Sequence, residues 1–236
     1  MRKDSLGDRM KGYENVNRSY LIKRMPVIIR LDGKAFHTYT KNCDKPFDRD
    51  LQILREATMS YLCESIQGCI FGYAQSDEIS LVLKDLDTFK TCSWFNNNLQ
   101  KIVSVSASMC TATWNELATA GLSLKFDRPA IFDSRAWNLP KEEVVNYLLW
   151  RQKDWTRNSV QMLGRSYYSH NQLKGVSCKE IVTMVEQEQG VIWGELPAWQ
   201  KRGSFWVRGK GIVECPIFEG IRRIQLENIL NEQVHV

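Results

Sequence analysis

Two short stretches of the chain carry residue types suited to chemistry on phosphates. One is Arg30-Leu31-Asp32-Gly33-Lys34-Ala35-Phe36-His37, the other Gly72-Tyr73-Ala74-Gln75-Ser76-Asp77-Glu78. Carboxylate and phosphate oxygens are the hard donors that Mg²⁺ prefers. Two such ions, about 3.5–4 Å apart, can hold both the attacking and the leaving oxygen of a phosphoryl transfer. Gly33, directly after Asp32, lets backbone amide and carbonyl groups approach a metal and phosphates closely. Taken singly, Asp in a turn and the dipeptide Asp-Gly are ordinary turn chemistry. His37 alone reads as a partly buried polar residue, and Lys45-Pro46 as a loop. The functional reading therefore depends on whether the fold makes the two stretches neighbours.

The surrounding pattern predicts that it does. Pro26 to Leu31 is a short β-rich apolar run, read as a buried strand that ends at Asp32. Asp48 to Ile66 carries Leu51, Leu54, Thr58, Tyr61, Leu62 and Ile66 near a helical period, with Gly68 as its stop. Residues 69–75 and 78–84 are apolar runs around a polar turn at Ser76-Asp77, which reads as a hairpin. Trp94 to Leu117 is a second helix, and Pro129 to Phe132 a fourth strand. The order β-α-β-β-α-β is that of the ferredoxin-like unit, an α+β fold. Neighbouring strands lie under about 5 Å apart, so Asp32 and Asp77 can share a metal.

Beyond Pro140 the character changes. Helices are expected over Lys141–Leu163 and Ser177–Gln189, the second with Ser177 and Glu180 as a capping box. Gly203–Val213 reads as a basic strand or hairpin, and Glu219–Leu230 as a final helix. Residues 1–135 are thus expected to form the catalytic core, and 136–236 a helical and hairpin elaboration packed on it. Near the start, Leu6, Met10 and Tyr13 sit at helical spacing.

Composition narrows the class. With 32 basic and 27 acidic residues, the net charge of +5 permits a polyanionic partner without requiring one. Seven cysteines without a C-x-x-C spacing, and only three histidines, argue against structural zinc and for reduced thiols. The charged start, Met1-Arg2-Lys3-Asp4, has no apolar run behind it, and nothing approaches the ~18 apolar residues of a membrane span. A soluble, cytoplasmic protein is expected.

Taken together, Leu31-Asp32-Gly33 with His37, Gly72-Tyr73 and Gln75-Ser76-Asp77-Glu78 resemble the tRNA-His guanylyltransferase family. Phe132-Asp133-Ser134-Arg135, Trp150-Arg151-Gln152 with Asp154, and Glu195-Leu196-Pro197 followed by Lys201-Arg202-Gly203 agree, in order, from about residue 5 to 210. The resemblance implies a core like the palm of polymerases and nucleotide cyclases. It also implies 3′-to-5′ nucleotide addition, in which ATP adenylylates a 5′-monophosphate and the 3′-OH of an incoming nucleotide then attacks. By resemblance Asp32 and Asp77 are catalytic and, with the Gly33 carbonyl, bind two Mg²⁺. Lys34, Ala35, Phe36, His37, Lys45 and Ser76 would surround ATP, GTP or another NTP, and Lys101 would reach a triphosphate. An arginine expected three residues before Lys101 is Asn98 here. A homotetramer is implied as well.

One departure bears on substrate choice. Guanosine-adding eukaryotic members carry a H-I-N-N-L-Y-N segment where this chain has Thr156-Arg157-Asn158-Ser159-Val160-Gln161-Met162, and only Asn158 matches. The chain is more similar to the guanylyltransferase-like proteins of bacteria and archaea, for which templated repair of 5′-truncated tRNA is implied. Arg151, Asp154 and Asn158 fall on one helix face, toward nucleotide or RNA or toward solvent. Lys201, Arg202 and Arg208, interleaved with Phe205 and Trp206, suit an RNA backbone and an unpaired base, or the solvated edge of a hairpin. Arg135 and Arg157 are further tRNA candidates. Untemplated guanosine addition to tRNA-His and a palm-type nucleotide cyclase stay open as alternatives.

Overall fold

The structure is a computed structural model that describes residues 5–85, 92–120 and 126–231. The charged start at Met1–Asp4 lies outside the described residues. Helix α1 (Ser5–Asn15) precedes strand β1 (Val27–Gly33), the short α2 (Phe36–Tyr39) and α3 (Arg49–Ser65). Strands β2 (Cys69–Gln75) and β3 (Glu78–Leu83) form the hairpin, followed by α4 (Leu99–Thr119) and β4 (Phe132–Asn138). The β-α-β-β-α-β order is therefore present. Next come α5 (Val144–Tyr167), α6 (His170–Leu173), α7 (Cys178–Gln189), α8 (Ala198–Arg202), strands β5 (Ser204–Val207) and β6 (Gly211–Val213), and α9 (Gly220–Asn231).

All six strands share one antiparallel sheet in the order β4-β1-β3-β2-β5-β6. The expected division after residue 135 falls within β4, and the β5–β6 hairpin continues the same sheet by pairing Phe71–Ala74 with Ser204–Val207. Alternation along β1 explains its two-sided burial. Val27, Ile29 and Leu31 face the α3/α4 layer with Leu54, Met59, Leu62, Ile102 and Trp114. Ile28 faces the opposite layer, with Tyr147 and Leu148 of α5 and Leu226 of α9. A third cluster joins the far half of α5 to α7 through Val160, Leu163, Ile181 and Val185.

Three expectations are corrected. The fourth strand begins at Phe132 and runs to Asn138, rather than covering Pro129–Phe132. Its charged stretch Asp133-Ser134-Arg135 lies at the sheet edge, where polar side chains are tolerated and hydrophobicity is a poor guide. The second helix begins at Leu99, not Trp94. Phe95, Asn96 and Asn97 take left-handed backbone angles, and Asn98 caps α4 by accepting the Lys101 N–H at 3.1 Å. Asparagine favours both conformations, which is why a helix cannot run through this triplet. Helix α3 ends at Ser65 with Ile66 extended, so Gly68, at φ +82°, serves the turn into β2 rather than the helix cap. Ser177 and Glu180 do form the capping box of α7.

Candidate active site

Strand pairing brings the two acidic stretches together. Asp32 is opposite Glu78 on β3 and opposite Asp133 on β4. The Gly33 N–H donates to the Asp77 carbonyl at 3.1 Å, tying the end of β1 to the β2–β3 turn. A Cβ on Gly33 would lie 2.2 Å from the Phe36 ring, so glycine here leaves the room in which that ring packs. Ala35 (φ 54°) and Ser76 (φ 47°) are both left-handed, which folds Lys34–His37 and the Asp77 turn tightly around the strand ends.

Asp77 is largely buried, and its carboxyl is held above the usual range. Burial is the main cause. Hydrogen bonds from the Ser76 side chain and its own backbone oppose it, and the charges of Asp32 and Glu78 add to it. A buried carboxyl beside a second, more open one fits a site built for a cation. The oxygen donors on hand, two carboxylates and the Gly33 carbonyl, suit Mg²⁺ rather than a softer metal. Among the described residues no group of three His, Cys, Asp or Glu forms a metal-holding cluster, so any such site rests on the pair and backbone oxygens. Arg135 lies 3.8 Å from Asp32 and 3.5 Å from Asp133, on the exposed side.

Glu78 serves a different purpose. It is 8 % exposed and forms a two-pronged pair with Arg151 of α5, at 2.7 and 2.8 Å. Arg151 also contacts Asp154 at 3.1 Å, and Asp154 accepts from Arg157 and Asn158 at 2.8 and 3.4 Å. The expected shared face of Arg151, Asp154 and Asn158 exists, but Arg151 is buried beneath it rather than turned to a ligand.

A cavity of about 480 Å³ opens beside Asp77. Its wall includes Phe36, His37, Lys45 and Ser76, as well as Arg55, Trp155, Met162 and Trp199. Lys45 donates to the Thr40 carbonyl at 3.2 Å, and Asp48 caps α3 at Leu51. Phe36 reaches the wall, but its ring is packed between Tyr39, Trp114 and Phe132. Lys34, Ala35, Lys101 and Asn158 are not on this wall. Lys101 lies in the first turn of α4, 5.9 Å from the Phe95 ring centre. Sequence reasoning missed Arg55, Trp155, Met162 and Trp199. The last three come from the second half of the chain, and nothing in their local pattern links them to Asp77.

The basic segment is less open than its composition suggests. Arg202 donates to the Cys215 carbonyl and pairs with Glu214, Arg208 donates to the Cys69 carbonyl, and Lys201 donates to the Gly194 carbonyl. Arg135 and Arg157 keep exposed side chains, although each has an acidic partner.

Comparison with known proteins accords with this geometry. The sequence profile of Thg1, tRNAHis guanylyltransferase, matches residues 7–140. A bacterial tRNA(His) guanylyltransferase-like protein solved in complex with ATP is 44% identical, with a TM-score of 0.87 over 96% of this chain and 99% of that one. One solved in complex with GTP is 42% identical, with a TM-score of 0.82 over the same shares. The tRNA(His) guanylyltransferase of Kluyveromyces lactis is 30% identical over 84% of this chain and 89% of its own. With a hairpin turn that holds Asp77 beside the end of the Asp32 strand and a profile that spans most of the sheet, the chain belongs to the tRNAHis guanylyltransferase family of nucleotidyltransferases, enzymes that add nucleotides to tRNA.

Proposed function

We propose that this protein repairs the 5′ end of truncated tRNA by template-dependent 3′-to-5′ nucleotide addition. The observation that carries the reading is the meeting of Asp32 and Asp77 at one end of the sheet, beside a cavity lined by His37, Lys45 and Ser76. The bacterial relatives solved with ATP and with GTP support nucleoside triphosphates as substrates. The strand order and the carboxylates at the ends of β1 and the hairpin support a palm-type core within residues 1–135, with 136–236 completing the cavity.

In this reading the tRNA 5′-phosphate attacks the α-phosphorus of ATP and releases pyrophosphate. The 3′-OH of the incoming nucleotide then attacks the adenylylated 5′-phosphorus, and AMP leaves. Asp32, Asp77 and the Gly33 carbonyl would hold two Mg²⁺ ions. When bound, these supply charge stabilisation for the attacking and leaving oxygens. Lys45, His37 and Ser76 orient the nucleotide, while Lys34 and Lys101 lie outside the cavity wall and would act only on phosphates that extend beyond it. Arg135 and Arg157 are exposed tRNA candidates. Seven cysteines outside any disulfide suit a reducing cytoplasm, and among the described residues no helix is long and apolar enough to cross a membrane.

Thr156–Met162 lacks the histidine and tyrosine of the guanosine-adding members, so base identity should come from the opposing template base. A correct pair also stacks in line and positions its 3′-OH, and misplacement by ~1 Å can cost ~100-fold. A tRNA lacking its first nucleotide should be extended with whichever NTP complements the template, in preference to full-length tRNA-His. The test is competition between the two substrates with the template base varied through all four identities. Guanosine addition regardless of template would instead establish the untemplated activity.

Helix α1 has no buried residue and exposes Leu6, Met10 and Tyr13 along one side (57, 48 and 69 % exposed), which supports self-association, in the homotetramer that the family resemblance implies. Sedimentation velocity at micromolar concentration should show a tetramer. A fully active monomer would rule this assembly out.

A further inference from the structure

Of the eight tryptophans, all within the described residues, Trp150 alone is more than half exposed, at 54 %. It lies in the second turn of α5, and the Arg151 guanidinium sits over its ring, 4.5 Å from the ring centre. Arg151 is itself fixed by its two-pronged bond to Glu78 on β3. Tyr147, one turn earlier, has its ring centre 6.0 Å from that of Trp150, and its hydroxyl bonds to that of Ser80 on β3 at 2.7 Å. A cation and a second aromatic ring, both anchored to the sheet, thus back the Trp150 ring, while its remaining surface faces solvent. A large aromatic side chain held out of the core forgoes burial and marks a contact surface.

Its position shows what it meets. Ile28 faces the α5 layer, so by alternation Arg30 and Asp32 do as well, and their partners on β4, Arg135 and Asp133, share that face. Trp137, two residues from Arg135 on the same face, meets Tyr147 edge-on at 5.6 Å. On α5 itself, Asp154 and Arg157 follow Trp150 at i+4 and i+7, on one side of the helix. The exposed side chains of Arg135 and Arg157 therefore border the same strip of surface as Trp150, and Arg135 lies 3.8 Å from Asp32. The nucleotide cavity is on another side of α5. Its wall takes Trp155 and not Trp150, and five residues turn a helix by about 140°.

We infer that Trp150 is a stacking platform for an unpaired base of the tRNA 3′ strand, the strand left single where the 5′ end is truncated. The inference rests on the repair reading. Arginines that take phosphates, beside an open aromatic ring that takes a base, are the chemistry of single-stranded RNA binding. With the Arg151 guanidinium already behind the ring, a base on the open side completes a layered stack.

The experiment measures binding of a labelled 5′-truncated tRNA to wild type, Trp150→Phe and Trp150→Leu by fluorescence anisotropy, with Mg²⁺ and without NTP. A series of the same RNA carries one abasic nucleotide at each unpaired position of the 3′ strand in turn, which removes the base and keeps the phosphate. Trp150→Leu should weaken binding of the intact RNA about tenfold and Trp150→Phe less, with melting temperature and ATP binding as in wild type. One abasic position should weaken binding to wild type by a similar factor and cause no further loss in Trp150→Leu, because both changes remove the same contact. Three outcomes would each overturn the inference: losses that add at every position, unchanged binding in Trp150→Leu, or a loss that only follows a lower melting temperature. The last is the result expected if the ring merely shields the Arg151–Glu78 pair. Coupling of Trp150 to one base, with no extension of the truncated tRNA once NTPs are supplied, would refute the repair reading and leave the stacking contact standing. Extension without coupling at any position would do the reverse.

Discussion

Asp77→Ala and Asp32→Ala are each expected to lower nucleotide transfer by about 10³-fold or more while the fold persists. Asp32 ends β1, Asp77 sits in the hairpin turn, and the Gly33-to-Asp77 backbone bond holds the two ends together. Neither side chain carries the core, so far-UV circular dichroism should stay native. Wild-type turnover in either variant at saturating Mg²⁺ would falsify the shared-metal arrangement. Stability gives a second readout with a defined sign. The raised Asp77 pKa, due mainly to burial, means that the folded protein holds this proton more tightly than the unfolded chain does. The resulting stabilisation is present below the ordinary carboxylate range and is lost as pH rises through the raised value. At neutral pH without metal, Asp77→Asn should therefore melt higher than wild type, by about 2–4 °C for each kcal/mol relieved. The difference should vanish on acidification. Mg²⁺ should raise the melting temperature of wild type at neutral pH but not that of Asp77→Asn.

Arg151→Met is expected to destabilise the protein by about 3–5 kcal/mol, because it leaves the Glu78 carboxylate buried without its partner. Each residue of the pair is 8 % exposed, and the two contacts are short and parallel. The double variant Arg151→Met with Glu78→Gln should recover most of that loss, since the stranded charge is removed. Denaturant titration of the four proteins checks this directly. A single variant as stable as wild type would show that the pair contributes nothing. Activity should also fall in Arg151→Met, because Glu78 directly follows Asp77 and its bond to α5 braces the turn that presents that carboxylate.

How far the sequence disclosed these features depended on how local their causes were. The β1 run and the β2–β3 hairpin were legible because apolar stretches flank polar turns, and this was enough to predict that Asp32 and Asp77 meet. Strand β4 was misplaced because its pairing with β1, not its own hydrophobicity, defines it. The start of α4 was misread because Trp94 and Phe95 suit a helix, while the three asparagines that follow them stop one. Arg151 looked like a surface arginine, since its partner Glu78 is far away in sequence. Arg55 was invisible for a related reason: a charge at a core-facing helical position reads as solvent-facing until the helix is docked.

The cavity wall has a consequence for how the enzyme comes into being. Asp32 and Asp77 can pair as soon as β1 and the hairpin have been synthesised, but Trp155, Met162 and Trp199 enter the wall only with α5 and α8. The chain thus acquires its acidic residues well before the cavity beside them is complete. Long-range closure of this kind is slow compared with hairpin formation. Until then the carboxylates stand without the wall that Trp155, Met162 and Trp199 complete. If the cavity holds nucleotide as proposed, competence to engage it arrives only with the last third of the polypeptide, in effect a timer written into the order of the strands and helices.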